Sequence, residues 1–423
     1  MLRKQISNYT NFIRSHWHLL SFGFLMVFFS SFGQTFFVGV FTPSIESHFD
    51  LSHSEWGSIF MAGTILSALI LPLTGSVLDH VPLKLYAIFV SCLLAVACVC
   101  AGLSTNVFLL VLSVFLLRQA GQGLATHTAV TAILKGFGKD RGKAVAITGL
   151  GFPLGRGILP IAAIFLITSL GWQITYILCG ILVLLCMLPA TLFLLGEKPN
   201  EKKNAHHEDH DSNHPPGEKP SSTVKGALST PLFYLLIPGI LVPSFLDTAL
   251  AFHVLLIADL KHWPVTLVLS GYAFYAVMSL ISSICAGPIL DRFGSRELLK
   301  YSLAPAIMGL FILMYCDSPL WAFIYLGLFG AVSGLRMTLI PFALSEIYGT
   351  RYIASIRSFV ASLSIFASAL GPPVLGIFLD LQFTITKIGW IYILYLIPAI
   401  ALTLVATRLY KKSFRKIQGR QKF

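Results

Sequence analysis

Gly75-Ser-Val-Leu-Asp79 and Gly287-Pro-Ile-Leu-Asp291 are two copies of one G-x-x-x-D loop, set half a chain apart. The first follows the second of twelve long apolar stretches and the second follows the eighth. A loop that returns at the same place in each set of six marks duplicated membrane architecture. Helical membrane folds of that kind are mostly transporters, with a site between the repeats.

Composition supports the spans. The 423 residues are 56% hydrophobic and only 11% charged, against about 25% charged in a soluble domain. Stretches of ~20 apolar residues are long enough to cross ~30 Å of hydrocarbon as helices. Six are expected at 19–41, 56–78, 85–103, 107–134, 144–170 and 174–195. Six more are expected at 232–258, 265–290, 298–315, 320–347, 354–379 and 388–407. The fold class is all-α, with twelve transmembrane helices in two six-helix bundles. The halves are 1–195 and 230–423, the second ending in a basic tail, with a polar linker at 196–229. The first span is too long for a cleaved signal peptide and lacks a small-residue cleavage site.

Net charge is +12, and its placement is informative. Twenty-five of the 30 Lys and Arg fall in loops or tails on one side of the spans, and only Lys261 and Lys387 on the other. This positive-inside pattern puts both termini in the cytoplasm. It also removes nucleic acid as a partner, because the charge borders lipid rather than forming a soluble patch. The tail from Arg408 to Lys422 is expected to lie against anionic lipid headgroups. The seven cysteines form no C-x-x-C pair and read as packed thiols. The linker is too polar to bury a core. Its Ala205-His-His-Glu-Asp-His-Asp-Ser-Asn-His214 tract reads as solvated, with a metal-responsive element as the rival interpretation. No metal site or cofactor is assigned, and the chain is expected to be a monomer. At the entry to the second span, Ser52 or Ser54 is expected to cap the helix in Asp50-Leu-Ser-His-Ser-Glu55.

The second loop, Gly287-Pro-Ile-Leu-Asp-Arg-Phe-Gly-Ser-Arg296, resembles the G-x-x-x-D-R-x-G-R-[RK] loop of the major facilitator superfamily. The first keeps Gly75, Asp79 and Lys84, with His80 and Pro82 where that family has Arg and Gly. Arg118-Gln-Ala-Gly-Gln-Gly123 is similar to its fourth-span R-x-x-x-Q-G pattern. The resemblance implies a conformational latch at Gly75, Asp79, Gly287, Asp291 and Arg292, which holds the halves together when the site faces outward. Within the superfamily the chain loosely resembles bacterial monocarboxylate and oxalate/formate carriers, through Phe252-His-Val-Leu-Leu-Ile-Ala and Glu346-Ile-Tyr-Gly-Thr-Arg351. It lacks the mid-membrane base in the eighth span with which several of those members hold a carboxylate.

Ionisable groups inside the bilayer are expensive and mark function. Three bases lie deep: Arg118, Arg156 and Arg336. One acid does: Asp247. The surplus of positive charge predicts a small anionic substrate. Arg156 and Arg336 are the expected contacts from opposite halves, with Arg118 and Gln34 as further candidates. Bracing between helices is the competing role for each arginine. Asp247 follows Pro238 and Pro243 and is the preferred proton-coupling carboxyl; His253 is the second candidate. The two stand six residues apart, about 240° around a helix, so they cannot both face one cavity squarely. An Asp247–Arg336 ion pair is an alternative arrangement. His127 reads as a packed histidine.

No nucleotide-binding loop and no hydrolytic constellation is present in the sequence, so the reading is a secondary transporter and not an enzyme. The expected activity is alternating-access movement of a carboxylate-like anion coupled to H⁺. An H⁺-driven drug or metabolite exporter is one rival, favoured by the Gly149-Leu-Gly-Phe-Pro-Leu-Gly-Arg-Gly-Ile-Leu-Pro160 run. A membrane sensor with a metal-responsive linker is the other.

Overall fold

The computed structural model describes residues 12–137, 141–195, 223–349 and 352–420. The His-rich tract and the side chains of the tail from 410 onward lie outside the described residues.

The chain is helical throughout these segments. Among the described residues ten helices are long and apolar enough to span a bilayer. A bent pair supplies an eleventh span and a shorter helix, Ala304–Tyr315, the twelfth. They run α1 (Trp17–Gly33 with Thr35–Phe49), α2 (His53–Asp79), α3 (Leu83–Gly102), α4 (Val107–Gly136), α5 (Lys143–Leu170) and α6 (Trp172–Leu194) in the first bundle. The second holds α7 (Pro231–Phe252), α8 (Val265–Tyr301), α9 (Ala304–Tyr315), α10 (Trp321–Tyr348), α11 (Ser355–Asp380) and α12 (Ile385–Leu409). Large apolar side chains such as Phe108, Leu185 and Phe193 point outward, as lipid-facing surface requires. The face carrying both G-x-x-x-D loops is the loop face.

Three boundaries differ from the sequence expectation, each for a local reason. The first span does not end at 41. It bends by 48° and continues to Phe49. The break is at Gln34, whose backbone is extended (φ −87°, ψ 149°). The seventh span stops at Phe252 instead of running to 258; His253 leaves helical geometry and Val254–Leu260 starts a new short helix. The eighth and ninth spans join through Gly294, at φ 77°, a left-handed conformation that glycine tolerates without a Cβ penalty. The helical turn Ser295–Tyr301 therefore belongs with α9 rather than α8 and extends that short helix toward the loop face.

The entry to α2 follows its sequence. Ser52 accepts from the Glu55 N–H, and Glu55 accepts from the Ser52 N–H, a complete capping box.

The two bundles meet along α2 with α11 and along α5 with α8. At the end opposite the loop face the contact is dense. A Cβ on Gly57 would lie 2.7 Å from Pro373, so α2 and α11 touch backbone to backbone there. Trp56 and Phe60 pack against Phe252 between the halves, with tilted rings whose centroids are 5.5 and 4.7 Å from its own. Trp56 Nε1 donates to Thr42 Oγ1, and Thr42 in turn donates to the Phe252 carbonyl, both at 3.1 Å. This end is sealed.

Candidate functional site

Below the seal lies a cavity of about 1030 Å³. It starts near Thr248 and Ser368 and reaches Leu344 and Arg357 at the loop-face ends of α10 and α11. The second bundle supplies most of its wall; the first contributes Gln122, His127 and Val130 from α4.

Arg336 lies in this wall. It projects from α10 and is 8% exposed. Its Nη2 donates to the Gly239 carbonyl at 2.7 Å and its Nη1 to Ser302 Oγ at 3.1 Å. The Gly239 carbonyl is available because its usual helix partner would be the N–H of residue 243, and Pro243 has none. Both acceptors are neutral. Among the described residues no carboxylate pairs with Arg336. The expected alternative, an Asp247–Arg336 bridge, is not what forms.

Asp247 instead binds Arg156. Its two carboxylate oxygens accept from Nη1 and Nη2, each at 3.1 Å. This bidentate geometry is the strong form of a charge-assisted hydrogen bond. The pair joins α5 of one bundle to α7 of the other. The Arg156 side chain is 4% exposed, whereas that of Asp247 is 33% exposed and lines the cavity. Aromatic rings surround the guanidinium: Tyr275 at 3.6 Å, Tyr272 at 4.9 Å and Phe36 at 5.3 Å from its carbon. Such faces attract a cation.

Arg118 is sealed away at 1% exposure. Its Nη1 donates to the Gly33 carbonyl at 3.0 Å and to Thr35 Oγ1 at 3.3 Å. The break at Gln34 frees that carbonyl from its helix. Phe60 covers the guanidinium at 5.0 Å. Its Nε and Nη2 are buried without a hydrogen-bond partner. The arginine opens a π-helical segment, Arg118–Ala125, a distortion common at functional positions. Gln34 is buried beside it, at the break itself.

His253 belongs to the sealed end and not to the cavity lining. It is fully buried, and its Nε2 lies 3.0 Å from the Pro372 carbonyl. Of the latch residues, Asp79 pairs with Lys135 at 3.2 Å on an exposed surface. Asp291 and Arg292 are exposed, and Arg292 lies over Phe293 at 5.2 Å. A Cβ on Gly287 would meet nothing within 4 Å, so no neighbouring helix approaches that glycine closely in this conformation.

Sequence reading missed several participants. Arg357 counts as a loop base by position, yet it stands in α11 at the cavity mouth. His127 reads as a packed histidine and in fact lines the wall. The aromatic rings around Arg156 carry no sequence signature, since most aromatics of a membrane bundle simply pack. One signal was readable: Pro243 four residues after Gly239 announces a free carbonyl that a donor must satisfy.

A twelve-span bundle with a central, polar-studded cavity sealed at one end is the architecture of a membrane transporter. The sequence profile of the Major Facilitator Superfamily matches residues 23–372, and the chain belongs to that superfamily. Among solved structures it is similar to a bacterial homologue of the human lysosomal transporter Spinster in an inward-facing, unoccupied conformation. That match has a TM-score of 0.69 and 16% identity over 94% of this chain and 98% of that one. The occupied form of the same protein gives 0.67, with 16% identity over 95% and 97%. A substituted form of the nucleoside transporter NupG gives 0.68, with 14% identity over 94% and 99%. At these identities the likeness is one of fold. No curated protein matches the chain in sequence.

Proposed function

We propose that the protein is a secondary transporter of the bacterial inner membrane that carries a small organic anion by alternating access, coupled to protons. The carrying observation is Arg336: a buried cation on the cavity wall, held by two neutral oxygens. An uncompensated charge in a low-dielectric interior attracts an opposite charge. The Arg156–Asp247 pair contributes no net charge, so Arg336 and Arg357 set the sign of the chamber. With the basic loop face in the cytoplasm, as its Lys and Arg content favours, the cavity is inward-open.

Asp247 is the coupling carboxyl in this proposal. It ties the bundles through Arg156 and touches the cavity at the same time. Protonation removes its charge, weakens the tie and biases the bundles toward rocking. Arg156 then becomes available to the anion from the first half. Arg118 and Gln34 lie nearer the sealed face and join the site when that end opens. His253 acts with the seal rather than as the coupling group. Asp79, Asp291 and Arg292 close against the opposite half in the outward-open state, with Gly75 and Gly287 allowing the approach.

The test is uptake into proteoliposomes under an imposed pH gradient, across a panel of organic anions. Arg336→Gln is expected to abolish anion flux, and Asp247→Asn to remove its dependence on the gradient. Undiminished flux in Arg336→Gln rejects the site.

One observation favours a second reading, an H⁺-driven exporter of organic cations. Tyr272, Tyr275 and Asp247 together form an aromatic and acidic nook suited to a cation, which Arg156 occupies here. In that case lipophilic cations raise the thermal stability of the protein and organic anions do not.

A further inference from the structure

Arg336 stands partway along the cavity, between the sealed end and the mouth at Leu344 and Arg357. Its guanidinium sits beside Gly239. Thr248, at the sealed end, is nine residues further along α7, roughly 13 Å of helix rise. Around that upper end the wall is hydroxylated. Ser244 and Thr248 come from α7, Ser333 from α10, and Ser364 and Ser368 from α11. Thr248 donates to the Ser244 carbonyl at 2.6 Å and is 2.9 Å from Ser368 Oγ. Ser364 donates to the Val360 carbonyl at 3.0 Å. A hydroxyl whose proton goes to a helix carbonyl still offers lone pairs. The Arg156–Asp247 pair closes this chamber without net charge. The lower chamber, beside Arg336, has apolar walls at Leu303, Ile340 and Leu344, with Arg357 and Ser358 at the mouth.

We infer that the substrate is a polyhydroxylated organic monoanion of about six carbons, with its carboxylate on Arg336 and its hydroxyls against the Ser/Thr chamber. This rests on the anion reading above. The length follows from the distance between Arg336 and the sealed end. A six-carbon chain measures roughly 6 Å, and a hydrogen bond of about 3 Å at each end brings the span to roughly 12 Å. A two- or three-carbon acid cannot reach both. A second carboxylate at the upper end would meet the partly exposed carboxylate of Asp247, with Arg156 buried behind it. An ammonium group there would compete for an acid whose two oxygens Arg156 already occupies. Hydroxyls need neither charge and donate to the acceptors present.

The experiment is calorimetric titration of the full-length purified chain with four probes of matched length: gluconate, hexanoate, sorbitol and ε-aminohexanoate. Gluconate is expected to bind about tenfold tighter than hexanoate, on the basis of ~1 kcal/mol per net hydrogen bond; sorbitol and ε-aminohexanoate are expected to bind weaker than either. Ser364→Ala combined with Ser368→Ala is expected to reduce gluconate affinity about tenfold and leave hexanoate within about twofold. If hexanoate equals gluconate and both are lost in Arg336→Gln, the anion reading stands and the hydroxyl inference is overturned. Tighter binding of sorbitol or ε-aminohexanoate than of gluconate overturns it as well. Anion binding that ignores Arg336→Gln overturns the anion reading itself. The comparison among probes on the unaltered protein decides the matter even where a variant folds poorly.

Discussion

Arg118 and Arg336 stand in corresponding helices of the two repeated halves, α4 and α10. Each donates to a backbone carbonyl that lacks its helix partner in the first helix of its own half: Gly33 at the break in α1 and Gly239 opposite Pro243 in α7. The chemistry is shared and the exposure is not. Arg118 is sealed under Phe60, while Arg336 lines a cavity. Depth accounts for the difference. Both helices start at the sealed face. Arg118 lies eleven residues from the start of its helix and Arg336 fifteen, a difference of about 6 Å in rise. The seal therefore covers one and leaves the other open. A residue's place in a duplicated pattern fixes its bonding partner, and the conformational state fixes whether a ligand can reach it.

A third arginine sharpens that contrast, because Arg156 has a true counter-charge. Asp247→Asn leaves Arg156 buried and unpaired and is expected to lower stability by about 3 kcal/mol. Pairing it with Arg156→Gln is expected to recover most of that loss, a non-additivity that thermal unfolding of the four proteins of the cycle measures. Additive losses would mean the two side chains do not act as a pair. By the same logic Arg336→Gln is expected to change stability little, since its removal leaves no orphaned acid.

The seal itself rests on a carboxylate. Asp380, the last residue of α11, accepts from the His53 and Ser54 backbone N–H groups at 3.0 and 2.9 Å. It thereby caps the N-terminus of α2 in the other half, where a negative charge is favoured by the helix dipole. Asp380→Asn is expected to shift the balance toward the outward-open form by ~1 kcal/mol, or about fivefold in population. Spin-label distances across that end report the shift. An unchanged distance distribution would reduce Asp380 to a local cap. The smallest effect belongs to the exposed Lys135–Asp79 pair on the loop face. Lys135→Ala is expected to alter stability by no more than about 0.5 kcal/mol, read by the same unfolding measurement. A larger change would show that the latch bears load in this conformation as well.

Much of the fold is legible in the sequence because a bilayer permits few solutions. Apolar length, charge asymmetry and the repeated loop together give the twelve spans and their duplication. The Ser52–Glu55 cap is legible because it is local. Long-range pairing is less so. Arg156 and Asp247 are 91 residues apart, and nothing near either in sequence chooses between Arg156 and Arg336 as the partner of Asp247. That choice depends on how α5 packs on α7 across the bundle interface. The bend in α1 also escapes reading, since Gly33 alone does not announce an extended residue after it. Arg357 falls inside the expected span 354–379 yet counts with the loop bases because it stands in the first turn; that it lines the cavity depends on how α11 packs. His253 shows the helical-wheel argument at work: it faces the seal at the Pro372 carbonyl while Asp247 faces the cavity.

The most direct test of the central claim is anion binding by Arg336→Gln and Arg118→Gln in the inward-open state, measured by calorimetry with a six-carbon carboxylate. Loss of a charge-assisted contact worth ~1.5–3 kcal/mol predicts a fall of roughly ten- to a hundredfold for Arg336→Gln and no change for Arg118→Gln. Equal affinity in Arg336→Gln and the unaltered protein would contradict the account.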